Sequence, residues 1–367
     1  MRNSLIFSSI LNRPVRTSAT VLAIAMEVVL IILVVGMTRG MIKESANRIK
    51  GIGADIVLQP PGSSYLLASS TAAMPEKITG VIRETEGIDS VTPVMVQFNT
   101  QGGIGLIYGI DIESFDQVTN GFAFIQGKAF SAPDEVIIDD IQAKSKKLQV
   151  GDKVEMLNHP FRVSGIFAHG KGSRVFLPLR TVQDLTGTPG KVTLIFIKCK
   201  DNEEIPAVLS RLRDRFKGYT VSPLSEFVSQ VYSATNDVVA LRYFLNVVIF
   251  VCTSVGFFAI FLAMYTAVTE RKREIGILKS LGASRPYVLA VFLKEAFVLC
   301  TAGLALGIGL SYWGKVLLIK ILPTFQVEIG LDWLVKAALI AFLSAGLGAF
   351  YPALRASSQD PIDALAE

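Results

Sequence analysis

Three cysteines and two histidines are all that this chain of 367 residues contains. Cys252 and Cys300 fall inside apolar runs and Cys199 stands outside them, so no disulfide framework is available. His159 and His169, ten residues apart with no neighbouring cysteine, do not form a metal-ligand set. Also missing are an H-E-x-x-H helix, a G-x-S-x-G elbow and any convincing nucleophile–base constellation. The one Gly-Lys pair in a glycine-rich setting, GTPGKVT at residues 187–193, lacks the first glycine four residues earlier and the hydroxyl directly after Lys191. It is not a Walker A loop. Net charge is +5, yet the basic residues are scattered, with no aromatic-interleaved patch of the kind that grips nucleic acid.

Apolar sequence, by contrast, is abundant. The chain is 51% hydrophobic and 18% charged, too apolar for an average soluble protein and too charged to lie wholly in a membrane. Runs long enough to cross hydrocarbon, which takes about 20 residues, occupy 19–37, 244–268, 289–310 and 333–351. Four membrane helices are expected. The first run exceeds a signal-peptide core and has no clear small-residue cleavage site after it, so it reads as an uncleaved signal anchor.

Short-loop Lys and Arg give the orientation. Arg2, Arg13 and Arg16 precede the first run, and Arg271, Lys272, Arg273, Lys279 and Arg285 separate the second from the third. The third loop has Lys315 and Lys320 against Glu328 and Asp332, and the tail carries Arg355. Both termini are therefore expected in the cytoplasm, with residues 41–240 outside. Arg39, Lys43, Arg48 and Lys50 argue locally the other way, but long domains translocate largely regardless of charge.

The external segment carries a weak internal repeat. PEKITGVIRETEG (75–87) and PAVLSRLRDRFKG (206–218) share a Pro and a Gly at one separation, with apolar residues at helical spacing between them. Strand-like runs flank each: 55–58 and 89–96, then 192–199 and 219–221. Two strand–helix–strand halves (50–100 and 191–225) predict a ferredoxin-like sheet with both helices on one face. Between them, 101–190 alternates in short runs broken by Gly, Asp and Pro, a small β-rich insert in which the glycines of GGIG and GKGS serve as turn residues. The fold class is thus an α-helical membrane protein with an α+β external domain.

Residues 269–287, TERKREIGILKSLGASRPY, form a basic amphipathic stretch between two spans. At 100° per residue, Ile275, Ile277, Leu278 and Leu281 fall on one side and Lys272, Arg273, Gly276, Lys279 and Ser280 on the other, with Gly282 as the stop. Such a helix either rests on anionic lipid or holds a soluble partner. Glu274, pointing to the apolar side, disfavours lipid. Elsewhere, Gly303 and Gly307 make a small-xxx-small face, and Gly346 and Gly348 with Ala345 and Ala349 thin the last run, as close helix packing requires. Tyr312, Trp313 and Trp333 suit interfacial anchoring. Glu27 sits mid-span, where a carboxylate is costly. It is expected to bond a hydroxyl such as Thr253 or Ser254, to sit protonated at a dimer seam, or to take part in proton coupling.

This order of elements resembles the MacB/FtsX-type permeases of ABC transporters. ERKREIGILKSLGAS (270–284) is similar to that family's cytoplasmic coupling segment, YPALRASSQDPIDAL (351–365) to its C-terminal signature, and NRPVRTSATVLAIAMEV (12–28) to its approach to the first helix. GADIVLQPPG, YGIDIESF and KLQVGDKVEMLNHPFRVSGIF resemble its periplasmic core domain. The resemblance implies a permease domain over 241–367, a porter-like part with a β-rich insert, and an inner-membrane location. It further implies a permease dimer, and a separate ABC ATPase that binds ATP and Mg in place of this non-catalytic chain. It assigns Glu270, Arg271, Arg273, Glu274, Ile275, Gly276, Leu278, Lys279, Leu281, Gly282 and Ala283 to the surface that docks on the ATPase. The implied function is mechanotransmission for substrate export or extraction, with a periplasmic adaptor and outer-membrane channel as further partners. The alternative is a signal-transmitting permease that activates a periplasmic or cell-wall partner. An external domain of about 200 residues, large enough for a sizeable core or two small ones, favours the former.

Overall fold

The computed structural model describes residues 14–63, 72–99, 105–236 and 239–359. Arg2, Arg13, most of GGIG and the end of the C-terminal signature lie outside them. In chain order the first half runs α1 (Pro14–Lys50), β1 (Ile56–Gln59), β2 (Met74–Pro75), α2 (Ile78–Arg83), β3 (Ile88–Asn99), β4 (Gly105–Ile110), α3 (Ile112–Thr119), β5 (Phe124–Gly127), β6 (Glu135–Asp139) and α4 (Asp140–Lys146). There follow β7 (Lys153–Met156), β8 (His159–Phe167), β9 (Val175–Pro178), α5 (Leu179–Leu185), β10 (Lys191–Val192), β11 (Leu194–Cys199), α6 (Ile205–Arg215), β12 (Thr220–Pro223) and α7 (Leu224–Asn236). The chain closes with α8 (Val239–Glu270), α9 (Lys272–Ser280), α10 (Arg285–Ile321) and α11 (Leu331–Ser358). These elements divide into two compact units, one from residues up to Gly40 with Ala240–Ile321 and the chain from Val327 onward, the other from Met41–Val239 with Leu322–Gln326.

In the external unit the strand order β12-β1-β11-β3, with every neighbouring pair antiparallel, is the ferredoxin-like arrangement expected from the two halves. Alternation along the strands explains how it is covered. Ile56, Leu58, Val91, Ile195 and Ile197 join Ile82 of α2 and Val208 and Leu212 of α6 in one core. Val57, Val94 and Phe196 join Phe115 of α3, Leu224 and Phe227 of α7, and Ile49 and Ile52 in another. The two helices of the halves, α2 and α6, share one face as expected, and the opposite face is covered as well, by α1, α3 and α7; with both faces buried, β1 is apolar at three successive positions rather than alternating.

The strands of the β-rich insert extend the same sheet. β3 runs on to Asn99 and pairs with β4, after which the order continues β4-β9-β6-β8-β5 in the same ten-stranded sheet. Three short helices belong to this insert. α3 and α4 are each opened by an aspartate: Asp111 accepts from Ser114 N at 3.1 Å and Asp139 from Gln142 N at 2.6 Å.

In the membrane unit α1, α8, α10 and α11 are long and apolar enough to span a bilayer, in agreement with the four runs. Ile24, Val28, Ile31, Ile260, Phe292, Cys300 and Ala345 share their core. Gly303 and Gly307 let α10 lie directly on α1: a Cβ there would stand 2.6 Å from Ile24 Cβ and 2.8 Å from Val28 Cβ. Gly348 does the same for α11 on α8, where Phe257 O would be 2.7 Å away. Gly346 departs from the expectation, since its only neighbour would be Phe297 at 3.8 Å. Large apolar side chains such as Phe250, Phe258, Leu262, Val335 and Leu343 point outward, as hydrocarbon-facing residues do.

Candidate docking helix and buried carboxylate

The helical course of α8 breaks at Arg271 (φ −112°, ψ 21°), and α9 starts as a new helix. Its end is set by Gly282 at φ +93°, with Ala283 N donating to Leu278 O and Gly282 N to Lys279 O, both at 3.0 Å. That is a Schellman closure, for which a left-handed glycine is needed.

Four contacts hold α9 and its flanks in place. Ile275 is 3% exposed in the helix-bundle core, with Gly276 buried beside it. Arg271 Nη1 lies 3.5 Å from Oε2 of Glu295, a buried carboxylate on α10. Lys279 Nζ donates to Ser357 O at 3.0 Å and to Gln359 O, so that an ammonium satisfies the carbonyls ending α11. Finally, Arg16 Nη1 donates to Glu270 Oε2 at 2.9 Å, tying α1 to the end of α8.

This geometry splits the predicted docking residues. Arg273, Glu274, Leu278, Leu281 and Gly282 are exposed, joined by Ile277 at 47%. Ile275 and Gly276 are buried, Ala283 packs half-buried against the core, and Arg271, Lys279 and Glu270 are occupied by the contacts above. The two-sided reading is corrected accordingly. Ile275 does not share an open face with Ile277, Leu278 and Leu281; it faces inward together with Gly276 and Lys279, which the helical wheel put on the polar side. Glu274 does share a side with Leu278 and Leu281, as expected, and that side is the exposed one. Arg16 and Glu295 were missed; a glutamate inside the apolar run 289–310 was the available signal.

Glu27 is 1% exposed within the membrane unit. Its partner is not a hydroxyl of α8: Thr253 and Ser254 donate to Ile249 O and Phe250 O, just as Ser344 donates to Ala341 O at 3.0 Å, but Ser344 alone of the three also reaches the carboxylate. Ser344 Oγ of α11 lies 3.4 Å from Glu27 Oε1, and Glu27 Oε2 has no hydrogen-bond partner among the described residues. A Cβ on Gly256 of α8 would overlap this carboxyl group. Glu27 thus fills the space that a glycine leaves open.

In the external unit a cleft of about 630 Å³ separates α2 from the insert, floored by Ile110, Phe130 and Leu179 and rimmed by Glu76, Arg83 and Arg180. Glu76 is engaged by Arg180 at 3.3 Å and Gln183 at 3.1 Å. No cluster of His, Cys, Asp and Glu among the described residues is arranged to hold a metal ion.

Two family profiles match, one described as MacB-like periplasmic core domain over residues 17–215 and one as FtsX-like permease C-terminal over 246–361. The macrolide export ATP-binding/permease protein MacB of Escherichia coli is 28% identical, over 96% of this chain and 58% of its own length. The protein so named in Shewanella sp. strain W3-18-1 is 24% identical over the same shares. The chain therefore spans somewhat more than half the length of these relatives. The crystal structure of the periplasmic region of MacB from Actinobacillus actinomycetemcomitans superposes with a TM-score of 0.39 and 18% identity, over 50% of this chain and 95% of that one. With the first profile matching more than half of the sequence and the second most of the remainder, the chain belongs to the MacB/FtsX-type family of ABC transporter permeases.

Proposed function

We propose that this permease couples ATP binding and hydrolysis on an ABC ATPase to a conformational change of its external domain, for export or extraction of a substrate on the outer side of the inner membrane. The observation that carries the reading is the exposed stripe Arg273, Glu274, Ile277, Leu278 and Leu281 on α9. A mixed-charge and aliphatic strip suits a protein groove, which can pair a carboxylate; acyl chains would penalise Glu274. The strip's support is equally pertinent. Ile275, Arg271–Glu295 and Lys279 join the back of α9 to α10 and α11, so that a push on the strip moves the bundle rather than bending a loop.

The complex we envisage is a dimer of permease chains with ATP and Mg held by the ATPase, both chain termini cytoplasmic, and a periplasmic adaptor and outer-membrane channel as further partners. The basic residues Arg16, Arg271, Lys279 and Arg355 around one end of the bundle support that orientation. Throwing such a switch from 1:99 to 99:1 requires ATP to favour one state by about 5.5 kcal/mol. Co-purification with the ATPase and ATP turnover test the docking surface. Leu278→Asp and Glu274→Arg are expected to weaken assembly and stimulation; full assembly and stimulation by both variants would refute the assignment.

A further inference from the structure

Mechanotransmission requires that movement of the helices reach the external sheet, and this inference rests on that reading. The external unit contains the outer end of α1 from Met41, the α10–α11 connection Leu322–Gln326, and the sheet itself. These three segments, far apart in sequence, meet at one side chain. Arg174 immediately precedes β9, which lies between β4 and β6 in the sheet order. Its guanidinium is 12% exposed; Nη2 stands 3.2 Å from Glu44 Oε1 and donates to Thr324 O at 3.2 Å, while Nε is 3.9 Å from Asp139 Oδ2 at the end of β6. Glu44 is braced by Arg48, whose Nε is 3.2 Å from the same carboxylate oxygen.

The backbone around Arg174 is equally committed. Arg174 O accepts from Asp139 N at 2.9 Å, and Gly172 N donates to Arg48 O at 2.7 Å. A Cβ on Gly51 would collide with Gly170 O. The approach to β9 is thereby tied by one main-chain bond to the last turn of α1 and by another to β6, and the guanidinium adds the α10–α11 connection. Only a planar fork with several donors can reach a carboxylate, a carbonyl and a second carboxylate at once; an ammonium is a point charge.

We infer that Arg174 is a positioning residue that passes displacement of the outer end of α1 and of the α10–α11 connection to the centre of the external sheet. A merely stabilising arginine would lower the unfolding midpoint when removed but leave the response to nucleotide intact. The full chain assembled with its ATPase in nanodiscs is therefore compared by hydrogen–deuterium exchange with and without ATP and Mg, reading peptides over 135–139 and 175–178. Wild type is expected to show a nucleotide-dependent exchange difference there. Arg174→Met is expected to lose that difference while ATP turnover persists. Should Arg174→Met fail to fold, Glu44→Gln, which keeps the volume and leaves Arg174 its other partners, decides in the same assay by loss or retention of the difference. A difference retained in the folded variant overturns the role of Arg174 alone. No difference in wild type overturns mechanotransmission, and the role of Arg174 with it.

Discussion

The contact of α10 on α1 makes a quantitative prediction. An alanine Cβ at Gly307 would meet Val28 Cβ at 2.8 Å and Ala25 O at 2.9 Å; at Gly303 it would meet Ile24 Cβ at 2.6 Å and Val21 O at 3.1 Å. Carbon atoms rest about 3.5–4.0 Å apart, so either substitution must part the helices by roughly 1 Å. The backbone oxygen cannot swing aside as a side chain could. Overpacking of this kind costs about 1–3 kcal/mol. Gly309, two residues along the same helix, would meet nothing within 4 Å, and there alanine only gains helix propensity, up to about 1 kcal/mol. The propensity gain is common to both positions, so these two chemically identical changes should differ in stability by the overpacking cost, about 1–3 kcal/mol. The double variant Gly303→Ala/Gly307→Ala should lose less than the sum of its parts, because one displacement accommodates both methyl groups. Unfolding titrations of the detergent-solubilised chain provide the assay. Equal stabilities for Gly307→Ala and Gly309→Ala, or strict additivity in the double variant, would refute the close-packing argument.

Ile275→Ala should destabilise the bundle by about 2–4 kcal/mol, since it empties a buried site. Leu281→Ala, at a side chain 81% exposed, should fall within about 0.5 kcal/mol of wild type in the isolated chain; the reverse ranking in an unfolding titration would invert our assignment of the faces of α9. Glu27→Gln, which keeps the shape and the bond to Ser344, is expected to fold and retain full activity in the reconstituted complex. Loss of activity with unchanged stability would instead demand an ionisable group at that position. Burial, with Asp55 nearby, pushes the Cys199 thiol up to about 11. At pH 8 its thiolate fraction is then on the order of 0.001, so maleimide should label Cys199 slowly in the folded chain and rapidly after denaturation. Comparable rates in the two states would show that the site opens.

The ferredoxin-like halves were legible because their signals are local: Pro75 with Gly87 and Pro206 with Gly218 bracket helices, and the flanking strands are dense in β-branched residues. The docking of the insert onto the same sheet was not legible. It runs through the antiparallel pairing of β3 with β4, whose connection falls at a break in the strand pattern, and the order beyond depends on partners distant in sequence, such as Ile107 beside Val175, on which hydropathy is silent. The faces of α9 were misread for a different reason. Gly276 counts as polar on a helical wheel, yet it is buried beside Ile275; Lys279 counts as solvent-facing, yet its flexible stem carries the ammonium to the carbonyls ending α11. Glu27 was found as a costly residue, but Ser344 lies 317 positions away, where no spacing rule applies.

The pairing of β1 bears on how the external domain is made. Val57 lies beside Phe196 on one flank and Ser222 on the other, so the first strand of this sheet in chain order has no neighbour until the last two are made. The insert strands, by comparison, find partners nearby, as β7 does in β8. During synthesis the insert can assemble first while β1, apolar at Ile56, Val57 and Leu58, waits unpaired; closure comes only when β12 follows β11, shortly before α8. Closure of this sheet therefore waits on the two strands that precede the second span, and β1 is without its partners until they are made.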